Sequence, residues 1–343
     1  MAVKSKKFDV AVIGATGLVG QEMISVLEER KFPINNLHLF ASEISAGEKL
    51  NFSGKDITIK ALNKKNIEST KVDIALWSIG NDLTKQYMPI ANECGWISID
   101  NSSAFRMEKN VPLIVPEVNK DALKGVKRGM VISNPNCSTI QLVQILKPLS
   151  DKYGLKRIVV ATYQAVSGAG KLAMKELEKQ TVDLLNGRNI TSEVFPHRIA
   201  FTILPHIDDF LDNLYTKEEM KVINESKKIL SLPKLQITAT CVRVPVFHSH
   251  SEAVNIELNK PCSVKDVTSL LSKTAGVKVI DDPKKFKYPL NFEAAGGDET
   301  YVGRIRLDES VENGINLWIV SDNLRKGAAL NAVQIAEIIS GKL

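Results

Sequence analysis

The chain has 343 residues, of which 44% are hydrophobic and 24% charged, with a formal net charge of +6. These values describe an ordinary globular protein of about two domains, each long enough to bury a core, and no uninterrupted apolar stretch reaches the length of a bilayer span. The basic excess is spread along the chain, with short clusters only at Lys4 to Lys7 and Lys284 to Lys287, so nucleic-acid binding is not required and an anionic substrate suits it equally well.

Four cysteines, Cys94, Cys137, Cys241 and Cys262, lie far apart without a C-x-x-C pair, which indicates neither a zinc site nor a disulfide framework and fits a reducing cytoplasm. The N-terminus passes from a few lysines straight into a strand, so no signal peptide is expected. No metal site is expected either.

The first strand is Phe8 to Ile13, and it runs directly into Gly14-Ala15-Thr16-Gly17-Leu18-Val19-Gly20 and a helical segment through Arg30. Strand, glycine turn and helix stand in the order a dinucleotide fold demands: Gly14 for the tight turn, Gly17 for close approach of backbone to a pyrophosphate, Gly20 for helix-on-strand packing. The spacing is G-x-x-G-x-x-G instead of G-x-G-x-x-G, and a turn that only packs is the competing reading. Further strands are expected at Leu37 to Ala41, Ile74 to Trp77, Trp96 to Ile99 and Met130 to Ile132, with a helix over Leu83 to Cys94. That alternation implies a doubly wound parallel sheet of Rossmann-like type. After the second strand, Glu43 points to NAD and Ser42 permits NADP, and the loop leaves the choice open.

Cys137 lies in Ser133-Asn134-Pro135-Asn136-Cys137-Ser138-Thr139, between an apolar run and the amphipathic segment Ile140 to Leu146. A cysteine at a strand-to-helix corner meets free N–H groups and the positive end of a helix dipole, which favour a thiolate. A small buried apolar residue is the plainer reading.

Beyond it, strand-like runs at Arg157 to Ala165, Ile237 to Val246, Ala253 to Leu258, Tyr301 to Leu307 and Ile315 to Ser321 predict an α+β second domain with a largely antiparallel sheet. A helix over Gly170 to Leu185 separates the first two. Ser167-Gly168-Ala169-Gly170-Lys171 lacks the residues of a Walker A loop, which excludes an ATPase of that type. Thr216 and Glu219 form a capping box for another helix, on which Glu218 and Lys221 share a face, as an exposed pair or as part of a site. Alternation puts Cys241 and Arg243 on one face of their strand and Val242, Val244 and Val246 on the other. Arg243 there needs an anionic partner, a structural carboxylate or a ligand. His248 and His250 follow, each a surface histidine or a proton carrier near a thiol.

Together, Gly14-Ala-Thr-Gly17-Leu-Val-Gly20, Ser102-Ser-Ala-Phe-Arg106, Ser133-Asn-Pro-Asn-Cys137-Ser-Thr139, Arg243-Val-Pro-Val246 with His250, and Asp322-Asn-Leu-Arg-Lys-Gly-Ala-Ala329 resemble the bacterial aspartate-β-semialdehyde dehydrogenases over essentially the whole chain. The resemblance implies reductive dephosphorylation of L-4-aspartyl phosphate to L-aspartate 4-semialdehyde and phosphate, with NADPH, on the route to lysine, threonine and methionine. It makes Cys137 the nucleophile and His250 the acid/base. Arg243 would clamp the substrate carboxylate, and Arg106 and Lys221 the phosphoryl group, with Asn136 helping. Glu218 would orient the basic side chains and Gln164 the substrate. The positive pocket would also help ionise Cys137.

By the same resemblance, Gly14, Thr16, Gly17, Leu18, Val19, Ser42, Ser45, Ser167, Gly168 and Asn323 would meet the cofactor, NADP, with NAD as the alternative. Residues 1–134 with 323–343 would form the dinucleotide domain, and 135–322 the catalytic domain through which a homodimer forms. The Arg325 to Ile339 segment, helical in pattern, would return to the dinucleotide domain.

Two departures stand out: Ile44 occupies the place of an Arg usual after the second strand, with Glu43 before it, and His248 precedes His250. A reductase of N-acetyl-glutamyl phosphate type and a non-catalytic nucleotide-binding paralogue are the alternatives; the Asn-Pro-Asn-Cys wording speaks against the first, and the presence of Cys137, Arg243 and His250 against the second.

Overall fold

The computed structural model describes residues 6–341; Lys4 and the two chain ends within the expected domain limits lie outside the described residues. The chain divides into two compact units, Met1–Pro135 with Ala328–Leu343, and Asn136–Gly327.

The first unit is built on seven strands: β1 (Phe8–Ile13), β2 (Ile34–Ala41), β3 (Lys49–Phe52), β4 (Lys55–Ala61), β5 (Ile74–Trp77), β6 (Ile97–Asp100) and β7 (Val131–Ser133), in the order β3-β4-β2-β1-β5-β6-β7. Every neighbouring pair is parallel except β3 with β4. Alternation explains the winding. Val10 and Val12 of β1 join Leu76, Ile97 and Ile99 in a core with Met23 and Leu27 of the Leu18–Glu29 helix and Val333, Ile335 and Ala336 of the Leu330–Ser340 helix. Ala11 and Ile13 point the other way, into a core with Ala75, Trp77, Met88, Ala91 and Trp96. Strands buried on both faces read as continuous apolar runs, and each fully buried Leu or Ile contributes about 1.5–3 kcal/mol. The short outer strands β3 and β4 are half-exposed and carry polar residues, so no apolar run announces them.

The second unit holds a six-stranded sheet of β8 (Leu155–Gln164), β9 (Gln236–Arg243), β10 (His250–Leu258), β11 (Val277–Val279), β12 (Thr300–Asp308) and β13 (Gly314–Ser321), ordered β11-β12-β13-β10-β8-β9. Its central pairs are antiparallel and its two outermost pairs parallel, making a mixed sheet. The Cys137–Tyr153 helix packs on β8, β10 and β13 and beside the Lys217–Ile229 helix. β9 stops at Arg243, two residues before Pro245, so Val244 and Val246 lie beyond the strand that alternation extended through them. The capping box is present: Glu219 N–H donates to Thr216 Oγ1 at 3.2 Å, and Thr216 N–H to Glu219 Oε2 at 2.7 Å.

β6 ends in a fully buried carboxyl. Asp100 accepts from the backbone N–H and the hydroxyl of Ser102, yet burial holds its pKa up at about 6 although Ser102 and Arg106 favour the charged form. Between the ordinary value of 3.8 and about 6 the folded chain keeps a proton that the unfolded chain has released. The associated stability is therefore complete below pH 3.8 and lost as pH rises through about 6. A shift of that size is worth about 3 kcal/mol. Asp100→Asn is expected to gain stability over the parent from about pH 4 to just above pH 6 and to hold that gain up to about pH 7.5, read as the difference in urea midpoints; a difference independent of pH would contradict this assignment.

Candidate active site

Cys137 is the first residue of its helix, and Asn136 is the N-cap. Asn136 Oδ1 accepts from the N–H groups of Ser138 and Thr139 at 3.0 and 3.2 Å, its Nδ2 donates to Glu218 Oε1 at 2.7 Å, and its own N–H donates to Glu225 Oε2 at 2.7 Å. Every polar group of the cap is engaged, so the position of Cys137 is fixed from one residue upstream. The thiol is half-buried. On its other side the chain passes so close that a Cβ on Gly327 would stand 2.9 Å from Cys137 Cβ.

Glu218 gathers the polar residues around this corner. Its Oε1 also accepts from Gln164 Nε2 at 3.2 Å, and its Oε2 accepts from Lys221 Nζ at 3.2 Å. Burial pushes this carboxyl up, but Lys221, Asn136 and Gln164 together outweigh it and hold it below the usual glutamate range. Lys221 reaches Asp208 Oδ2 as well, at 2.8 Å, and although burial disfavours its charge, Glu218 and Asp208 keep its pKa above the ordinary value. The pair expected from spacing alone is thus part of a network centred on the buried Glu218 carboxyl, with Lys221 and Asp208 half-exposed at its edge. Asp208 and Glu225 had no signal of their own, although Glu218, Lys221 and Glu225 follow the i, i+3, i+7 spacing of one helix face.

Arg243 is buried at the end of β9, with Nη1 donating to Ala165 O at 2.7 Å. No carboxylate among the described residues closes an ion pair on it. Burial works against its charge, and Glu218 followed by Cys137 favour it. Such a guanidinium offers its remaining N–H groups to an anion. Cys241, by contrast, is inert: burial first, then the charge of Glu218, push its thiol far up.

Ala165 connects this arginine to a histidine, because its N–H donates to His250 Nδ1 at 3.0 Å. A ring nitrogen that accepts carries no proton, so the neutral imidazole of His250 bears its hydrogen on Nε2. The ring is fully buried, and burial together with Arg243 holds its pKa well below 6.5. His248 is only half-buried and precedes the strand. The two histidines part company at Ser249, whose φ of 67° breaks the alternation between them. Gly168 lies against both groups: a Cβ there would come within 3.0 Å of Arg243 Nη1 and 3.2 Å of His250 Cε1. Ser167 Oγ and the Asn323 side chain are hydrogen-bonded to each other.

Arg106 belongs to the first unit, buried, with Nη2 donating to Asn101 O at 2.8 Å. The same unit carries the glycine turn. Gly14 has φ 86° and would drive a Cβ to 2.2 Å from Ser78 O; a Cβ on Gly20 would stand 2.1 Å from Gly14 O. Gly17 caps the following helix with no side chain, leaving its first N–H groups open beside Leu18 and Val19. This cradle fits a dinucleotide pyrophosphate. Thr16 sits in the turn, and Ser42, Glu43 and Ile44 form an exposed corner after β2 with Ser45 half-exposed.

Comparison with known proteins gives one consistent result. Residues 9–126 match the family model for the semialdehyde dehydrogenase NAD binding domain, and residues 146–326 that for the semialdehyde dehydrogenase dimerisation domain. The chain is 50% identical over 333 residues to an aspartate-semialdehyde dehydrogenase of Aquifex aeolicus, covering 97% of this chain and 98% of the relative. It is similar to the crystal structure of aspartate semialdehyde dehydrogenase II of Vibrio cholerae complexed with ASA, with a TM-score of 0.92, 46% identity and 98% of each chain covered. The Candida albicans enzyme solved with NADP aligns with a TM-score of 0.76 and 26% identity over 98% of this chain and 99% of that one.

Proposed function

We propose a mechanism from the premise that the chain belongs to the aspartate-semialdehyde dehydrogenase family. The reaction is the reductive dephosphorylation of L-4-aspartyl phosphate to L-aspartate 4-semialdehyde and phosphate, a step of amino-acid biosynthesis leading to lysine, threonine and methionine. The observation that carries the reading is the fully engaged Asn136 cap, which presents Cys137 at a helix N-terminus beside the Glu218 network.

The Cys137 thiolate attacks the acyl carbon, the carbon–oxygen bond to the phosphoryl group breaks, and phosphate leaves a thioester on the enzyme. When bound, the nicotinamide supplies the hydride that reduces this thioester. The carbon–sulfur bond then breaks, releasing aldehyde and restoring thiolate. At each addition the substrate oxygen becomes negative, and His250, neutral with its proton on Nε2, donates a hydrogen bond to it. The departing phosphate takes up one proton per turnover, delivered from solvent through His250 Nε2, and the neutral ring is restored before the next cycle. Arg243 clamps the substrate carboxylate with its planar fork, Lys221 and Arg106 hold the phosphoryl oxygens, and Gln164 orients the substrate while Glu218 and Asn136 hold these groups in line.

The cofactor we assign is NADP, held by the Gly14–Val19 turn, by Ser42 and Ser45 at the 2′-phosphate, and by Ser167, Gly168 and Asn323; Glu43 keeps NAD as the second possibility. Residues 1–134 with 323–343 would serve the nucleotide, and 135–322 catalysis and assembly of a homodimer in the cytoplasm; among the described residues no helix is long and apolar enough to cross a membrane. The test is direct. Purified protein given the semialdehyde, phosphate and either dinucleotide should reduce NADP faster than NAD, and reduction of neither would sink the assignment.

A further inference from the structure

Ser249 is a non-glycine residue held in the left-handed region, with φ 67°, immediately before His250. Such a conformation persists only where its surroundings impose it. Here the imposing group is a side chain: Ser249 N–H donates to Asn323 Oδ1 at 3.0 Å, and both residues are buried. The other end of the same carboxamide, Nδ2, donates to Ser167 Oγ at 3.0 Å. Ser167 in turn donates its N–H to Phe247 O at 3.2 Å, and its neighbour Gly168 lies against the His250 ring. One carboxamide therefore ties the turn that covers the histidine to the residue that precedes it. The carboxamide is itself anchored, because the preceding residue, Asp322, accepts from the N–H groups of Gly296, Leu324 and Arg325.

We propose that Asn323 is a positioning residue for His250, acting through Ser249 to aim Nε2. This rests on the reading of His250 as the donor to the substrate oxygen. It gives Asn323 a consequence different from a cofactor contact. A residue that holds the nucleotide changes KM for the nucleotide; a residue that aims a donor at the transition state changes kcat.

The experiment combines kinetics with the nucleotide-free protein. Asn323→Ala should lower kcat about 10–100-fold, the scale of a misaimed catalytic group, on top of any rise in KM for the dinucleotide that comes from losing the cofactor contact. Asn323→Ser, whose hydroxyl is too short to reach Ser249, should behave alike and serves if the alanine variant does not fold. Adding Ser249→Gly to either variant should return kcat to within about fivefold of the parent, because glycine reaches a positive φ without strain. A raised KM with kcat unchanged, or no recovery with Ser249→Gly, would overturn the proposal.

In protein labelled on histidine, the ring resonance of His250, identified by its loss in His250→Asn, should move in both Asn323 variants. An unmoved resonance also overturns the proposal. If the resonance moves but His250→Asn retains turnover, Asn323 positions the ring as stated, and it is the catalytic reading of His250 that falls.

Discussion

Replacing Cys137 by alanine is expected to lower kcat at least about 10⁴-fold, as for loss of a covalent nucleophile, while leaving the unfolding midpoint nearly unchanged. The fold should tolerate the change because the cap is made by Asn136 and not by the cysteine, and alanine is a strong helix former. Cys137→Ser should be almost as inactive, for a separate reason. A serine hydroxyl needs a neighbouring base, whereas a thiol, far more acidic, ionises with the help of the helix N-terminus and the cations around it. His250 is no such base in this arrangement: Nδ1 already accepts from Ala165, and Nε2 carries the hydrogen. Parent enzyme mixed with the acyl phosphate and no dinucleotide should release about one phosphate per site and gain an acyl group on Cys137, detected as a mass increase of the peptide that contains it. A serine variant with a substantial share of parental turnover would refute both the nucleophile and the proposed tautomer.

The architecture was readable wherever burial imposes a regular pattern. Runs such as Phe8 to Ile13 and Ile74 to Trp77 are buried on both faces and match their strands residue for residue. The Thr216–Glu219 box is local chemistry and needs no tertiary information. The half-exposed strands β3 and β4 carry no continuous apolar run; their signal was the alternation of Leu50 and Phe52, then Ile57, Ile59 and Ala61, with polar residues on either side of Ser53-Gly54, a hairpin pattern that a reading for buried runs passes over. Around the site, the limit was contact across long sequence distances. Spacing puts Glu218 and Lys221 on one helix face, but only packing against Asn136 and Gln164 turns that face inward. The contribution of Ala165 comes from its backbone, which side-chain chemistry does not announce. Likewise His248 and His250 are equivalent until the left-handed turn at Ser249 separates them.

Glu218→Ala should be the most damaging substitution that leaves Cys137 in place, costing about 2–4 kcal/mol of stability, the scale for leaving the buried Asn136 and Gln164 donors unsatisfied while the half-exposed Lys221 keeps Asp208. Three donors, Asn136 Nδ2, Gln164 Nε2 and Lys221 Nζ, lose their shared acceptor at once, and Arg243 loses the group that most favours its charge. Glu218→Gln separates shape from charge. Its amide oxygen can still serve Asn136 and Gln164, but its NH₂ faces the Lys221 ammonium, leaving Asp208 as that lysine's remaining carboxylate partner. Because the parent carboxyl titrates below its ordinary value of 4.5, its contribution is present above pH 4.5 and lost as pH falls through the depressed value. The stability gap between parent and Gln variant should therefore be widest at neutral pH and close on acidification. Catalysis and anion binding should move in opposite directions. With one negative charge removed beside Lys221 and Arg243, inorganic phosphate should bind at least as tightly by calorimetry, while kcat falls about 10²-fold because the cations are no longer held in line. Weaker phosphate binding with unchanged kcat would mean that Glu218 acts as a binding determinant and not as the organiser of the site.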